Sequence, residues 1–279
     1  MKRIGLLIYF IVALVAVRGA EYTNAELKQA ESLLKARFDR MTREPGNTRK
    51  LAIADSISGL LFNTLNLPGA FDYPFDSLKT LGKIKSNDQK IRIFTWNVPA
   101  DDGTSTFYGF LLVREKKDNP PEVIKLNDQL NDVPDVTQVS LTPDRWLGCL
   151  IYAIVETNYA GISYYTLLGY DPHDFFVTRK IIDLLWFNEK HEPVFGKAVF
   201  HYQKRMQHRV IFEYSAKVSM SLQWNDNLKM IIFDHLSPSK QSQTGNYRYY
   251  GPDFSYDGLR FEKGIWEMVE DIDVRNSNK

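Results

Sequence analysis

The apolar positions of this chain change their period once. From residue 24 to residue 65 they recur at three- and four-residue steps, at Leu27, Ala30, Leu34, Phe38 and Met41, then at Leu51, Ala54, Ile57, Leu61 and Leu65. That spacing lays one apolar stripe along each of two amphipathic helices. Thr23-Asn24-Ala25-Glu26 has the capping-box form that opens a helix, and Glu44-Pro45-Gly46 closes it. Asn47 is placed to cap the second helix, and Leu67-Pro68-Gly69 ends it. Residues 21–69 are therefore expected to form an N-terminal helical hairpin.

Near residue 90 the helical period is lost and does not return: several segments, notably Leu147 to Val155, are apolar on both faces, whereas Met220, Leu222 and Trp224 alternate with Ser221 and Gln223. Short segments rich in aromatic and β-branched residues follow at 90–96, 107–113, 146–156, 163–170, 178–187, 197–202, 208–215, 220–224, 229–235 and 259–269. Between them stand turn formers such as Asp101-Asp102-Gly103, Asp171-Pro172-His173-Asp174, Asn225-Asp226-Asn227 and Glu262-Lys263-Gly264. The expected fold is mainly β, with residues 70–279 forming an antiparallel meander shaped as a sandwich, barrel or curved sheet. A β-propeller is the alternative, because Trp96, Trp146, Trp186, Trp224 and Trp266 are spaced by roughly forty to fifty residues. The residues around them do not repeat, and about ten to thirteen strands fall short of the roughly twenty that five blades require.

The first twenty residues add a location. Lys2 and Arg3 precede an apolar run from Ile4 to Val17, and Val17-Arg18-Gly19 resembles the small-residue pattern at which signal peptides are cut. The run is shorter than the ~20 residues of a spanning helix, so residues 1–20 read as a signal peptide and no membrane span is expected after cleavage. The expected location is periplasmic or extracellular. No cysteine follows the apolar run, so no acyl anchor is expected.

Composition then narrows the partners. Removal of the signal segment takes Lys2, Arg3 and Arg18 from 35 basic residues, against 34 acidic ones, and turns a net charge of +1 into about −2. Neither a basic excess nor a basic cluster is present, which argues against nucleic acid as a partner. Cys149 is the single cysteine, so no intramolecular disulfide can form, and its apolar surroundings from Trp146 to Tyr152 suit a small buried hydrophobe better than a nucleophile.

Candidate chemistry is sparse. The chain has no serine nucleophile elbow, P-loop, dinucleotide-binding glycine pattern or zinc-protease helix, and no cofactor is expected. His201 and His208 would oppose each other across a hairpin turning at Lys204-Arg205. That is a possible metal pair without a third ligand, and a surface pair is the simpler reading. Asp234-His235, with Asp253 from a later loop, is the candidate general-base set, although neighbours in a strand point to opposite faces. The segment Ser237 to Tyr256 is polar and then aromatic, and long loops of this kind often carry function. Tyr247, Arg248, Tyr249, Tyr250, Asp253, Tyr256 and Asp257 are its candidate ligand-binding residues, a mixture of flat amphipathic rings and directional polar groups.

At Tyr249-Tyr250-Gly251-Pro252-Asp253-Phe254-Ser255-Tyr256-Asp257, at Phe233-Asp234-His235-Leu236-Ser237-Pro238 and at Glu270-Asp271-Ile272-Asp273-Val274-Arg275-Asn276, the chain resembles a group of uncharacterised exported proteins of Bacteroidetes-type bacteria. The resemblance covers most of the region after Phe71. It implies a Gram-negative envelope location and carries over no catalytic residue. The functional expectation is an exported binding or envelope-assembly module that presents a tyrosine-rich loop to a glycan or protein. The alternative is a hydrolase acting on an envelope polymer.

Overall fold

The computed structural model describes residues 24–116, 119–130 and 133–273. The signal segment at 1–20, Thr23 of the capping box and the closing Val274-Arg275-Asn276 lie outside the described residues. The chain divides into two compact units. One is made of residues up to Leu81 with Leu112–Val123, the other of Gly82–Leu111 with Ile124 onward.

The first unit holds the helical hairpin, with α1 at 24–43 and α2 at Asn47–Leu65. Leu27, Leu34, Phe38 and Met41 of α1 are buried, as are Ala54, Ile57, Leu61 and Leu65 of α2, so the two stripes face inward. Arg37 of α1 donates to the carbonyl and the hydroxyl of Ser56 in α2, each at 2.8 Å. Asn47 is not the cap that the spacing predicts. Gly46 occupies the N-cap in extended conformation, and Asn47 is the first helical residue. After α2 the chain turns repeatedly up to Leu81 and is tied back by Glu31, whose buried carboxylate accepts from the Tyr73 hydroxyl and the Ser77 N–H, each at 2.7 Å. Burial and this acceptor push the Tyr73 hydroxyl up to about 12.

Among the described residues the strands collect in three sheets, not in a ring of four-stranded blades, and no closed barrel forms. β1 (Gly82–Lys85), β2 (Ile91–Pro99), β3 (Ser105–Val113) and β4 (Glu122–Asn127) make a four-stranded sheet in chain order. β5 (Leu150–Tyr159), β6 (Ile162–Asp171), β7 (Val177–Phe187) and β11 (Val210–Ser215) run in the order β11-β7-β6-β5, with β8 (Pro193–Phe195) also on β7. β9 (Phe200–Tyr202), β10 (Arg205–Gln207), β12 (Leu222–Asn225), β13 (Met230–Pro238), β14 (Tyr250–Glu262) and β15 (Ile265–Val269) form a six-stranded sheet ordered β10-β9-β15-β14-β13-β12. The pairing of β15 with β9 is parallel, a departure from the expected antiparallel meander.

The second and third sheets share one core. Leu168, Ile182, Leu184 and Phe212 from one face meet Phe233, Leu259 and Trp266 from the other, all buried, in the manner of a sandwich. Two bonds cross between the sheets: the Trp266 indole N–H to the Thr166 hydroxyl at 3.1 Å, and the Tyr152 hydroxyl to the Leu222 carbonyl at 2.9 Å. A buried indole needs such an acceptor, because an unpaired polar hydrogen in the core costs about 1–3 kcal/mol.

One hairpin differs from its expected register. β9 and β10 turn at Gln203 and Lys204, both in the left-handed region at φ 49° and 62°, so Arg205 pairs with Tyr202 and Met206 with His201. The turn is one residue earlier than Lys204-Arg205, and His208 falls beyond the ladder. Two-residue hairpins demand left-handed backbone because its twist matches that of the strands, and side chains there cost about 1–2 kcal/mol each. Lys204→Gly is therefore expected to raise stability by about 0.5–1 kcal/mol, read as a melting temperature higher by roughly 1–4 °C. An unchanged or lower melting temperature would show that the turn is not strained.

Candidate functional site

The candidate site begins with an irregularity between β13 and β14. Their ladder runs from Met230 opposite Arg260 to Pro238 opposite Tyr250, but Asp234 lies opposite Tyr256 and Leu236 opposite Pro252. His235 alone therefore stands against three residues, Asp253, Phe254 and Ser255. Asp253 closes this bulge by accepting from the Ser255 N–H at 3.2 Å and its hydroxyl at 2.8 Å, while Phe254 takes φ 73° and leaves its ring 96% exposed. Bulges of this kind bend the strand and re-aim side chains.

The bulge brings a carboxylate to each nitrogen of His235. Asp257 pairs with Phe233, two residues before His235 and on the same face, and diagonal neighbours on one face lie within side-chain reach. The His235 Nδ1–H donates to Asp257 Oδ2 at 2.7 Å, and the other Asp257 oxygen accepts from the Asp271 N–H at 3.2 Å. Asp257 is buried, whereas the His235 side chain is 46% exposed. Its Nε2 lies 3.9 Å from Asp253 Oδ2. The hydrogen bond to Asp257 holds the imidazolium above the ordinary histidine range, against the opposing effect of partial burial, and the charges of Asp257, Asp253 and Asp271 add to it. Partial burial works against ionisation of Asp253 too, but the Ser255 bonds and the His235 charge together keep it below the usual carboxylate range.

His235 opens into a cleft of ≈ 300 Å³ where β11 meets β9, β13 and β14. Phe212 and Phe233 lie at its base, and Tyr202, Gln203, Glu213, Tyr247, Tyr250, Asp257 and Glu270 line it. The rings of Tyr247 and Tyr250 are 5.1 Å apart and inclined at 57°. Tyr250 is fixed by its hydroxyl, which accepts from the Gly245 N–H at 2.9 Å, while Tyr247 stays 43% exposed. Burial, then the nearby Asp257 charge, drives the Tyr202 hydroxyl well above its ordinary range, so it stays a neutral donor. Glu213 is already matched by Arg179, whose Nη2 lies 2.7 Å from it.

The residues singled out from sequence divide between several places. Tyr247, Tyr250, Asp253 and Asp257 come together around His235. Arg248 and Tyr249 line a neighbouring cleft of ≈ 550 Å³ on the other side of Tyr250, with the Arg248 guanidinium 4.2 Å from the centre of the exposed Phe176 ring. Tyr256 lines neither cleft. Asp234 is drawn toward β12, where its carboxylate accepts from the Ser221 N–H at 2.7 Å, so the carboxylates beside His235 are Asp257 and Asp253. His201 and His208 do not meet across the hairpin. His201 Nδ1 is 2.7 Å from Glu267 Oε2, and His208 Nδ1 is 3.1 Å from the Ser140 hydroxyl. Burial, followed by the charge of Arg209, lowers the His208 pKa.

Tyr202, Gln203 and Glu270 carried no signal in the sequence. Tyr202 ends β9, Gln203 opens the β9–β10 turn and Glu270 follows β15, and the parallel β9–β15 pairing joins these elements to the sheet that carries β13. No family model, curated protein or solved structure matches the chain.

Proposed function

We propose that this chain is an exported, non-catalytic carbohydrate-binding protein of the cell envelope, which takes a sugar unit of a glycan into the cleft at His235. The observation that carries the reading is the 3.9 Å gap between His235 Nε2 and Asp253 Oδ2, together with the cleft that His235 lines with Tyr247 and Tyr250. The gap is too wide for a direct hydrogen bond and suits one bridging hydroxyl. Such a hydroxyl accepts from the imidazolium Nε2–H and donates to the carboxylate, which accepts only. A sugar supplies hydroxyls together with an apolar C–H face, and tyrosine rings offer the flat amphipathic surface that matches it. The charged basic stretch and apolar run at residues 1–20 support export, and the near-neutral composition suits an uncharged ligand.

Calorimetric titration with neutral oligosaccharides tests this. Tyr247→Ala removes an exposed ring and is expected to weaken binding about tenfold, the loss of ~1.4 kcal/mol, with an unchanged melting temperature. Binding that is indifferent to Tyr247 would overturn the proposal.

A second reading is favoured by the Asp257–His235 pair itself. A buried carboxylate fixing Nδ1 of a histidine that lines a cleft is the arrangement of a general base, here acting with Asp253 in hydrolysis of an envelope polymer. Release of new reducing ends from envelope polymer, abolished by His235→Ala, would establish it in place of simple binding.

A further inference from the structure

The cleft at His235 does not end at Gln203. A second cleft of ≈ 520 Å³ lies on the far side of the β9–β10 turn, and Gln203, Met268 and Glu270 line both. Its remaining lining is His201, Lys204 and Glu267. The parallel register of β9 and β15 sets His201 opposite Glu267, and the two side chains meet at 2.7 Å through Nδ1. Each cleft thus contains an imidazole whose Nδ1 is held by a carboxylate, His235 by Asp257 and His201 by Glu267.

We infer that the two clefts are one groove with adjacent subsites for consecutive units of a linear, uncharged glycan. The inference rests on the carbohydrate reading above and adds the length and direction of the ligand. The volumes fit more than one ring, since a cleft of about 300 Å³ is at the lower end of the range for a single small ligand and the second is larger. The subsites differ in kind. The first offers the Tyr247 and Tyr250 rings, while the second offers no tyrosine, only the His201 imidazole, other hydrogen-bonding groups and the Met268 side chain. Stacking therefore anchors one unit, and the next is held by hydroxyl contacts to Glu267, Glu270, Gln203 and His201. In the second cleft Lys204 stands with two carboxylates, Glu267 and Glu270, which favours a neutral chain over a polyanion. A peptide would want side-chain pockets at alternate positions beside a strand edge, and Met268 alone does not provide them.

Calorimetry with chito- and cello-oligosaccharides of one to six units distinguishes the possibilities. The expected result is an affinity that rises about tenfold or more from one unit to the length that fills both clefts and is then flat, because linked contacts add without a second cost of association. His201→Ala, in a half-exposed side chain, is expected to collapse the ratio of long-chain to single-unit affinity toward one, and Gln203→Ala, on the shared wall, to reduce it. Equal affinity at every length, or an unchanged ratio in both variants, would overturn the groove and leave the single-unit site standing. Absence of binding to any sugar, or a preference for a basic peptide titrated in parallel, would overturn both.

Discussion

Arg209→Ala is expected to lower the stability of the β-rich unit by about 3–5 kcal/mol, because it strands a buried charge together with the carbonyls of Val136 and Val139, whereas that of Phe195 keeps the Leu141 N–H. The Arg209 side chain is fully buried. Its Nε lies 3.1 Å from Asp183 Oδ2, off the hydrogen-bonding direction, so charge attraction holds the pair. Nη1 donates to the carbonyls of Val136 and Val139, and Nη2 to that of Phe195 at 3.1 Å. One guanidinium thus fastens β11, β7, β8 and the segment before Leu141. Gly196 belongs to the same design: it sits at φ 84°, and a Cβ there would lie 2.4 Å from Arg209 Nη2. Denaturant unfolding followed by tryptophan fluorescence measures the loss, which corresponds to a midpoint lower by roughly 10 °C on heating. Replacing both charges, as Arg209→Met with Asp183→Leu, removes the unpaired carboxylate and should recover part of the loss. It cannot recover all of it, because the carbonyls of Val136 and Val139 still lack the donor that Arg209 supplied. A single variant within 1 kcal/mol of the parent would show that the segment finds other donors.

Arg209 also shows where sequence reading stops. Its role depends on three carbonyls 14 to 73 positions away, and nothing in the residues flanking it signals that. The helices were legible because each stripe is continuous: counting from Leu27 to Met41 and from Leu51 to Leu65 finds the buried apolar residues, though not the buried Glu31, Ser58 and Thr64. The long β segments were legible as apolar runs rich in aromatic and β-branched residues, which β2, β3, β6 and β7 bury as continuous stretches. Trp146 to Cys149 was read as the start of a strand because it is apolar, yet β5 begins at Leu150 and Trp146 only bridges Asp128. β1, β4, β8 and β10 are short strands of three to six residues whose pairing, not their composition, defines them. The supposed loop from Ser237 to Tyr256 is ladder at both ends, since Leu236, Ser237 and Pro238 pair with Pro252, Gly251 and Tyr250, and loop only at 239–249. Pro252 reads as a strand breaker, but the β14–β15 pairing begins only at Gly258, so the position leaves one edge of β14 open. The meeting of His235 with Asp257 was hidden for a related reason. It follows from a diagonal contact across a bulge, and register across a bulge is set by three-dimensional pairing.

Asp257→Asn should move the proton of His235 and with it the pH dependence of binding. Because pairing raises the folded-state pKa of His235 above its ordinary 6.5, the bound proton contributes stability that is fully present below about 6.5 and is lost as pH rises through the folded value. The asparagine oxygen can still accept from Nδ1, so the ring keeps its orientation while the favouring charge is gone. The His235 titration midpoint, read from its ring proton resonance in NMR, is expected to fall in the variant. Between the two midpoints the parent carries an imidazolium and the variant a neutral ring. A neutral ring with its proton on Nδ1 offers only an acceptor at Nε2, so a hydroxyl between it and Asp253 has two acceptors for one proton and loses a bond. That lost bond, worth about 1–1.5 kcal/mol, predicts roughly tenfold weaker glycan binding by the variant within this window and a gap that closes well below it, where both rings are charged. A midpoint that does not move would show that Asp257 does not set the charge of His235. A gap that persists at every pH would make Asp257 a structural support and separate the cleft's binding from its proton.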